Sequence, residues 1–266
     1  MLRKPSLFAL LLTLFSLTLS AQPPGGGQQP EFIRQAQAMI REGKLDDALA
    51  VYNKELEKSP DSVAAHNAAG IVLDLMGKTE EARKHFAKTI ELAANPQARA
   101  NAQRQMAMSY AFDNDCKNTI KYEQMVMEYW AGEKNFYQQG EMANEAARVC
   151  IEAGDLASAE KWYKIGTELG LKEPNIAPDR TALWQFRIEH ALGRLAARRN
   201  QKQEAAKHVA AAKDILDKNP EMAKQQAIFF PYLAGYVAFH TADYKTALAE
   251  FQKANQNDAF IQCLMG

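Results

Sequence analysis

The chain has 266 residues, of which 32 are Lys or Arg and 32 are Asp or Glu, so its formal charge is zero. Bulk charge therefore gives no reason to expect binding to nucleic acid or to an anionic membrane surface. Hydrophobic residues make up 47% and charged residues 24%, which is typical of a globular protein and excludes wholesale disorder. No apolar run approaches the ~20 residues of a spanning helix, which argues against a polytopic membrane protein.

The N-terminus carries the pattern of a secretory signal. Arg3 and Lys4 precede an apolar run at 7–19, and Ser20-Ala21 offers the small residues of a cleavage site. This run is shorter than the ~20 residues that a spanning helix needs, so we interpret it as a cleaved signal; an uncleaved anchor is the alternative. The sequence therefore predicts export, to a bacterial periplasm or to the exterior.

The signal peptide, residues 1–21, is followed by a leader rich in Pro, Gly and Gln at 22–30. Prolines lack the backbone donor that a helix uses, and glycines lose the most backbone entropy on ordering, so we expect this leader to be flexible. Its glycine run has neither the preceding strand nor the following Gly-Lys-Ser or Gly-Lys-Thr of a phosphate-binding loop. The folded domain is expected at 31–266.

From Glu31 onward, amphipathic helical segments alternate with short breaks, and hardly any stretch alternates with the two-residue period of a half-buried strand. The predicted class is all-α. Segment 43–48 recurs as segment 77–82, 34 residues later, and Tyr52 and Phe86 keep the same spacing. A fixed period of this length indicates stacked helical repeats.

This pattern resembles the tetratricopeptide repeat. In that family a small residue lies where two helices touch, Gly ends the first helix, Ala lets the second approach, and an aromatic residue four positions later fills the gap. The resemblance implies a right-handed α-solenoid of about six stacked helix-turn-helix repeats. In chain order the four positions are Ala36, Gly43, Ala48 and Tyr52; Gly70, Gly77, Ala82 and Phe86; Ala107, Asn114, Thr119 and Tyr122; Ala147, Gly154, Ala159 and Tyr163; Gly193, Asn200, Ala205 and Val209; and Gly235, Ala242, Ala247 and Phe251.

The later repeats are longer than the first two. Their turns follow at spacings of 37, 40, 46 and 42 residues, and Pro174 and Pro178 force a non-helical connection between repeats four and five. A further repeat would open at Asp258, and the chain stops at Gly266 within its first helix. Either another chain covers this end or the sequence is a truncated form; we expect truncation, because solenoid ends need a polar cap.

The resemblance also implies a place for a ligand. In this register the first helix of each pair lines a concave surface, and guanidinium and carboxamide groups there suit an extended peptide with acidic or C-terminal carboxylates, while Tyr adds rigid contact area. The alternative is that the arginines belong to a solvated helix face and the aromatic residues at 229–232 to the core. The expected groove residues are Asn67, Arg104, Asn144, Arg148, Arg187, His190, Arg194, Tyr232 and Tyr236.

No residue pattern indicates catalysis, a cofactor or a metal. The chain lacks the His-Glu-x-x-His arrangement, the Gly-x-Ser-x-Gly elbow and the phosphate loop, and segment 113–115 lacks the Gly and Glu of a calcium loop. We therefore expect no catalytic residue and read each histidine as a surface or packing residue. The histidines are His66, His85, His190, His208 and His240.

Two of the three cysteines fall at helix ends that should be neighbours in a stack of repeats. Cys116 begins the second helix of repeat three, and Cys150 lies late in the first helix of repeat four. In an oxidising compartment we therefore predict a Cys116–Cys150 disulfide. Two buried free thiols are the alternative, since Cys packs well as a small apolar residue.

Together these features predict an exported, non-catalytic tetratricopeptide-like solenoid that binds a protein or peptide partner. One alternative is a structural subunit of a cell-envelope assembly. Another is an enzyme whose site is assembled from residues distant in sequence, since function has to be argued from a site.

Overall fold

In the computed structural model of this protein, the described residues are 29–266. They form fourteen α-helices and contain no β-strand, which confirms the all-α class. The expected signal peptide at 1–21 lies outside the described residues. The chain divides into two compact units, of which the first ends at Tyr129 and the second runs from Trp130 to Gly266.

The first unit is built from three helix pairs, which correspond to the first three expected repeats. From α1 to α5 each helix packs on the next, and α1 and α3 also touch, as do α3 and α5. Helix α6 contacts α5 through the stacked rings of Tyr122 and Tyr110. The last turn of α6 crosses the boundary between the units. The helices are α1 (Glu31–Arg41), α2 (Leu45–Lys58), α3 (Val63–Leu75), α4 (Thr79–Glu91), α5 (Pro96–Phe112) and α6 (Cys116–Gly132).

Small residues let the helices of the first unit approach closely. A Cβ atom added to Gly70 on α3 would lie 2.6 Å from Cε1 of Phe86 on α4, and Phe86 is only 1% exposed. In the preceding pair, Ala36 and Ala48 are fully buried beside Tyr52. The small residue and the aromatic residue therefore face each other, as the repeat pattern predicts.

A buried polar cluster links α3, α4 and α5. The carboxylate of Asp74, 4% exposed, accepts a 2.8 Å hydrogen bond from the Ser109 hydroxyl. The guanidinium of Arg83 donates to the Ser109 carbonyl at 3.0 Å, pairs with Asp113 and lies 4.0 Å from the ring centroid of Tyr110. Burial raises the pKa of Asp74 to about 7, although Ser109 and Arg83 oppose this rise.

The second unit contains the other three expected pairs, which are α7/α8, α9/α10 and α12/α13. A short helix, α11, precedes the last pair, and α14 begins directly after Asp258, where we expected a further repeat to open. Asp258 caps α14 by accepting a hydrogen bond from the Phe260 backbone N–H. The helices are α7 (Phe136–Ala153), α8 (Leu156–Gly170), α9 (Pro178–Arg198), α10 (Lys202–Lys218), α11 (Pro220–Gln225), α12 (Phe229–His240), α13 (Tyr244–Phe251) and α14 (Ala259–Met265).

Trp184 anchors α9 on the pair α7/α8. Its indole is fully buried, and a Cβ atom added to Gly140 on α7 would lie 2.6 Å from its Cη2 atom. A Cβ atom on Gly170, at the end of α8, would overlap the same ring. No larger residue fits at either glycine. This packing therefore fixes the rotation of α9 about its axis and, with it, the positions of Arg187 and His190 in the turns after Trp184.

The turn inside each pair confirms the repeat register. All six positions that we assigned to this turn have φ between +56° and +86°, in the left-handed region. Glycine adopts this conformation without strain, whereas Ala242, with φ +67°, adopts it at a cost of roughly 1–2 kcal/mol. The six positions are Gly43, Gly77, Asn114, Gly154, Asn200 and Ala242.

Candidate partner-binding surface

The expected groove residues are distributed over both units. Asn67 on α3 and Arg104 on α5 belong to the first unit, and both are half-buried. The other seven belong to the second unit, on α7, α9 and α12. The structure brings five of these seven to one place, which we call the arginine–tyrosine strip. The strip consists of Arg148, His190, Arg194, Tyr232 and Tyr236.

Arg194 is the centre of the strip and is only 6% exposed. One guanidinium nitrogen, Nη2, donates a 2.8 Å hydrogen bond to the hydroxyl of Tyr163. The guanidinium carbon lies 5.6–5.9 Å from the ring centroids of Tyr163, Tyr232 and Tyr236. Three tyrosine rings thus enclose the cation, and their faces attract it.

A carboxylate compensates the buried positive charge. Oε2 of Glu152 on α7 lies 3.7 Å from Nη1 of Arg198, which also donates a 3.1 Å hydrogen bond to the Tyr236 hydroxyl. Burial raises the pKa of Glu152, and the charges of Arg194 and Arg198 oppose this rise. Burial likewise raises the pKa of Tyr236, to about 12. The base of the strip is therefore a closed network of Glu, Arg and Tyr.

His190 is held in one orientation on top of this network. Its ring stacks on Tyr232, with centroids 5.6 Å apart, and Nε2 lies 3.2 Å from the backbone oxygen of Phe229. A carbonyl only accepts, so Nε2 carries the proton. Burial lowers the pKa of His190 well below its usual value, and the charges of Arg194 and Arg148 lower it further. The imidazole is neutral, and its Nδ1 atom is an acceptor.

Solvent reaches the strip mainly at Arg148 on α7. The Arg148 side chain is 40% exposed, and its nearest carboxylate oxygen, from Glu145, is 4.0 Å away. Arg187, one turn before His190, instead pairs with Glu141 and lies over the Trp184 ring at 5.0 Å. Of the arginines in this region, Arg148 is therefore the one placed to exchange its partner for a new one.

The seventh expected residue, Asn144, packs at a close approach of two helices. Its Oδ1 atom is buried without a hydrogen-bond partner, 2.5 Å from where a Cβ atom on Gly166 of α8 would lie. Arg194 and Tyr236 are likewise covered, because Tyr163 and the α12 helix close over α9. These three side chains form the interior of the site, while Arg148, His190 and Tyr232 form its accessible part.

The described residues were also compared with the requirements of a metal site and of a membrane-spanning helix. Across 29–266, no group of three or more His, Cys, Asp or Glu side chains is arranged to hold a metal ion. None of the helices in that range is long and apolar enough to cross a bilayer. Cys263 is free and exposed. The Cys116–Cys150 pairing stays a prediction.

Comparison with known proteins identifies the repeat. Residues 33–99 match the family model for the tetratricopeptide repeat. That segment, which carries the first two pairs of helices, is similar to the tetratricopeptide repeat. No curated protein matches the sequence.

Solved structures share this fold, and one of them contains tetratricopeptide-like repeats. One contains the nearly identical repeats of a protein described as a kinesin light chain from Podosopora anserina. It is 16% identical, has a TM-score of 0.54, and the match covers 73% of this chain and 95% of that one. BtubC from P. vanneervenii is 13% identical with a TM-score of 0.50, over 88% of this chain and 93% of that one. At these identities the likeness concerns the fold.

The repeat register of the helix pairs explains why Tyr163 belongs to the site. Tyr163 occupies the aromatic gap-filling position of pair α7/α8, and its hydroxyl is the acceptor for Arg194. Glu152, which the sequence analysis did not single out, lies one turn after Arg148 on α7. The spacing of four residues from Arg148 could have pointed to Glu152 in the sequence, because it places a carboxylate on the same helix face as an expected groove residue.

Proposed function

We propose that this chain is a non-catalytic scaffold that binds an extended, acidic segment of a partner protein on the arginine–tyrosine strip. The proposal rests on the different surroundings of two arginines in the strip. Arg194 is buried and engaged by three tyrosines, whereas Arg148 is 40% exposed and 4.0 Å from its nearest carboxylate oxygen. A partner carboxylate can therefore accept two hydrogen bonds from the Arg148 fork without breaking a strong internal pair.

The buried residues of the strip support this role by holding its surface in place. The Tyr163 hydroxyl fixes Arg194, and the Phe229 carbonyl fixes His190. Glu152 and Tyr236 hold the neighbouring Arg198. Rings that are already ordered lose little entropy when a peptide packs on them. The acceptor Nδ1 of His190 also gives a backbone N–H of the peptide a partner beside the Arg148 carboxylate site.

Export belongs to the same proposal and rests on the charge, apolar run and small residues at 1–21. A bacterial periplasm or the exterior is the proposed place of action. Fusion of residues 1–21 to a reporter enzyme tests this element by itself. Reporter activity outside the cytoplasm is the expected result, and retention of the whole reporter in the cytoplasm contradicts it.

A second candidate function, as a structural subunit of a larger assembly, is favoured by apolar side chains on α13. Tyr244 is 64% exposed and Leu248, one turn later, is 45% exposed. Size-exclusion chromatography with light scattering separates the two functions. A monomer is expected from the scaffold proposal, and a defined oligomer that Leu248→Ser dissociates is expected from a structural subunit.

Selection of peptides from a random display library tests the scaffold proposal. The purified protein is expected to enrich peptides that contain Asp or Glu, and Arg148→Gln is expected to abolish this acidic preference. Lys161→Gln, on the exposed face of α8, is the matched control, because it removes the same charge from the other helix of the pair. The proposal is wrong if no acidic peptide is enriched, or if Arg148→Gln enriches the same peptides as the parent.

A further inference from the structure

His66 on α3 and His85 on α4 form a close pair in the first unit. Their Nδ1 atoms are 2.9 Å apart, and their ring centroids are 5.1 Å apart with 48° between the planes. Both side chains are half-buried, so solvent reaches the pair. The two residues are 19 positions apart and on different helices. The pair therefore does not show the sequence pattern of two histidine ligands on one helical face.

The hydrogen bonds determine where the protons lie. Nε2 of His66 is 2.8 Å from the backbone oxygen of Pro60, so Nε2 carries the proton and Nδ1 presents a lone pair. Nδ1 of His85 then donates to that lone pair. Burial lowers the pKa of His85, and the adjacent His66 lowers it further, so the His85 imidazole is neutral at pH 7.

The same geometry is close to that of two ligands on one metal ion. With metal–nitrogen bonds of about 2.0–2.1 Å and ligand angles from 90° to tetrahedral, two coordinating nitrogens lie about 2.9–3.4 Å apart. The observed 2.9 Å separation falls at the near end of this range. In addition, a ligating histidine usually donates its other N–H to a carbonyl or carboxylate, as His66 donates to Pro60.

We propose that His66 and His85 form a two-imidazole site for a divalent transition-metal ion of the class that prefers imidazole, such as Zn²⁺ or Cu²⁺. Both Nδ1 atoms are the ligands, and solvent fills the other coordination positions. Binding breaks the hydrogen bond between the rings, which tilt until their lone pairs converge. The His85 proton moves from Nδ1 to Nε2 through solvent, so both ligands stay neutral and no net proton is released.

The charges around the pair favour a cation. Glu81 lies one turn before His85 on α4, and its charge acts on the His85 ring. Lys88 is a positively charged residue one turn after His85 on the same helix. Its Nζ atom lies 3.0 Å from Glu91 and 3.6 Å from Asp61, so two carboxylates offset its charge.

Titration calorimetry with zinc chloride tests the site. The protein is purified without a histidine tag and in a Cys263→Ser background, because Cys263 is an exposed thiol and thiolates are zinc ligands. One equivalent of zinc is expected to bind. His66→Gln and His85→Gln are each expected to weaken binding at least tenfold.

His208→Gln is the matched control, since His208 contacts Glu189 and Glu204 in the second unit and is a competing location for zinc. Retained affinity in this variant is expected, and loss of binding there but not in His66→Gln overturns the proposal. Ring ¹⁵N spectra of the parent protein guard against misfolded variants. Zinc is expected to shift the Nδ1 signals of two histidines, and unchanged signals also overturn the proposal.

Discussion

The contact between Gly70 and Phe86 gives the most direct energetic test of the repeat register. Gly70→Ala would place a Cβ atom 2.6–3.0 Å from three atoms of the Phe86 ring. The ring must move by roughly 1 Å to restore an ordinary carbon–carbon contact of about 3.5 Å. Phe86 is 1% exposed and packs in the core with Leu73, Ala82 and Met106, and overpacking of this kind costs about 1–3 kcal/mol.

The helix propensity of alanine offsets part of this cost, by up to about 1 kcal/mol, so a net loss of about 1–2 kcal/mol is expected. Gly132→Ala is the control, because Gly132 is a helical glycine whose added Cβ meets no atom within 4 Å. It is expected to stabilise the protein by about 0.5 kcal/mol. Urea unfolding followed by far-ultraviolet circular dichroism measures both changes.

A double-mutant cycle shows whether Phe86 is the cause. In a Phe86→Leu background the ring is gone, so Gly70→Ala is expected to be neutral or stabilising, with a coupling energy of about 1–3 kcal/mol. The reasoning is refuted if Gly70→Ala is equally destabilising with and without Phe86, or if it stabilises the parent as Gly132→Ala does.

Three further predictions concern strain, pH and redox state. Ala242→Gly is expected to raise the free energy of unfolding by about 0.5–1 kcal/mol, because glycine relieves the strain at φ +67°, and a lower melting temperature contradicts this. Burial raises the pKa of Asp74 from 3.8 to about 7, so the stability that its protonated form contributes is fully present below pH 4 and is lost as the pH rises through 7. Asp74→Asn is expected to remove this dependence of the free energy of unfolding on pH. If the free energy of unfolding changes with pH as much in Asp74→Asn as in the parent, the raised pKa of Asp74 is contradicted. Alkylation without reductant is expected to label only Cys263, whereas three labels disprove a Cys116–Cys150 bridge.

The sequence predicts the helix pairs well because their signals are local. A left-handed turn selects Gly or Asn, and a close helix contact selects a small residue opposite an aromatic one. The six turns and the Gly70–Phe86 contact follow from these rules. Even Ala242 could be assigned from its spacing, although its residue type does not favour the conformation.

The candidate site was less predictable because burial depends on packing between repeats. The register places Arg194 and Tyr236 on the inner face. It does not show that Tyr163 accepts a hydrogen bond from Arg194 or that Glu152 pairs with the neighbouring Arg198. The insertion of Trp184 beside Gly140 has the same origin, since it depends on how α9 meets the preceding pair. The accessible part of the expected groove in the second unit is thereby reduced to a few side chains.

Site-specific photocrosslinking tests the proposed binding surface most directly. A benzophenone amino acid replaces Phe229, which is 47% exposed and whose carbonyl contacts His190 of the strip, or, as a control, Lys161. Crosslinked products from the cell that makes the protein are analysed by mass spectrometry. With Arg148 intact, the probe at Phe229 is expected to capture a partner through a segment rich in Asp and Glu, while the probe at Lys161 is not. Equal capture from both positions, or capture through segments without acidic residues, contradicts the proposal.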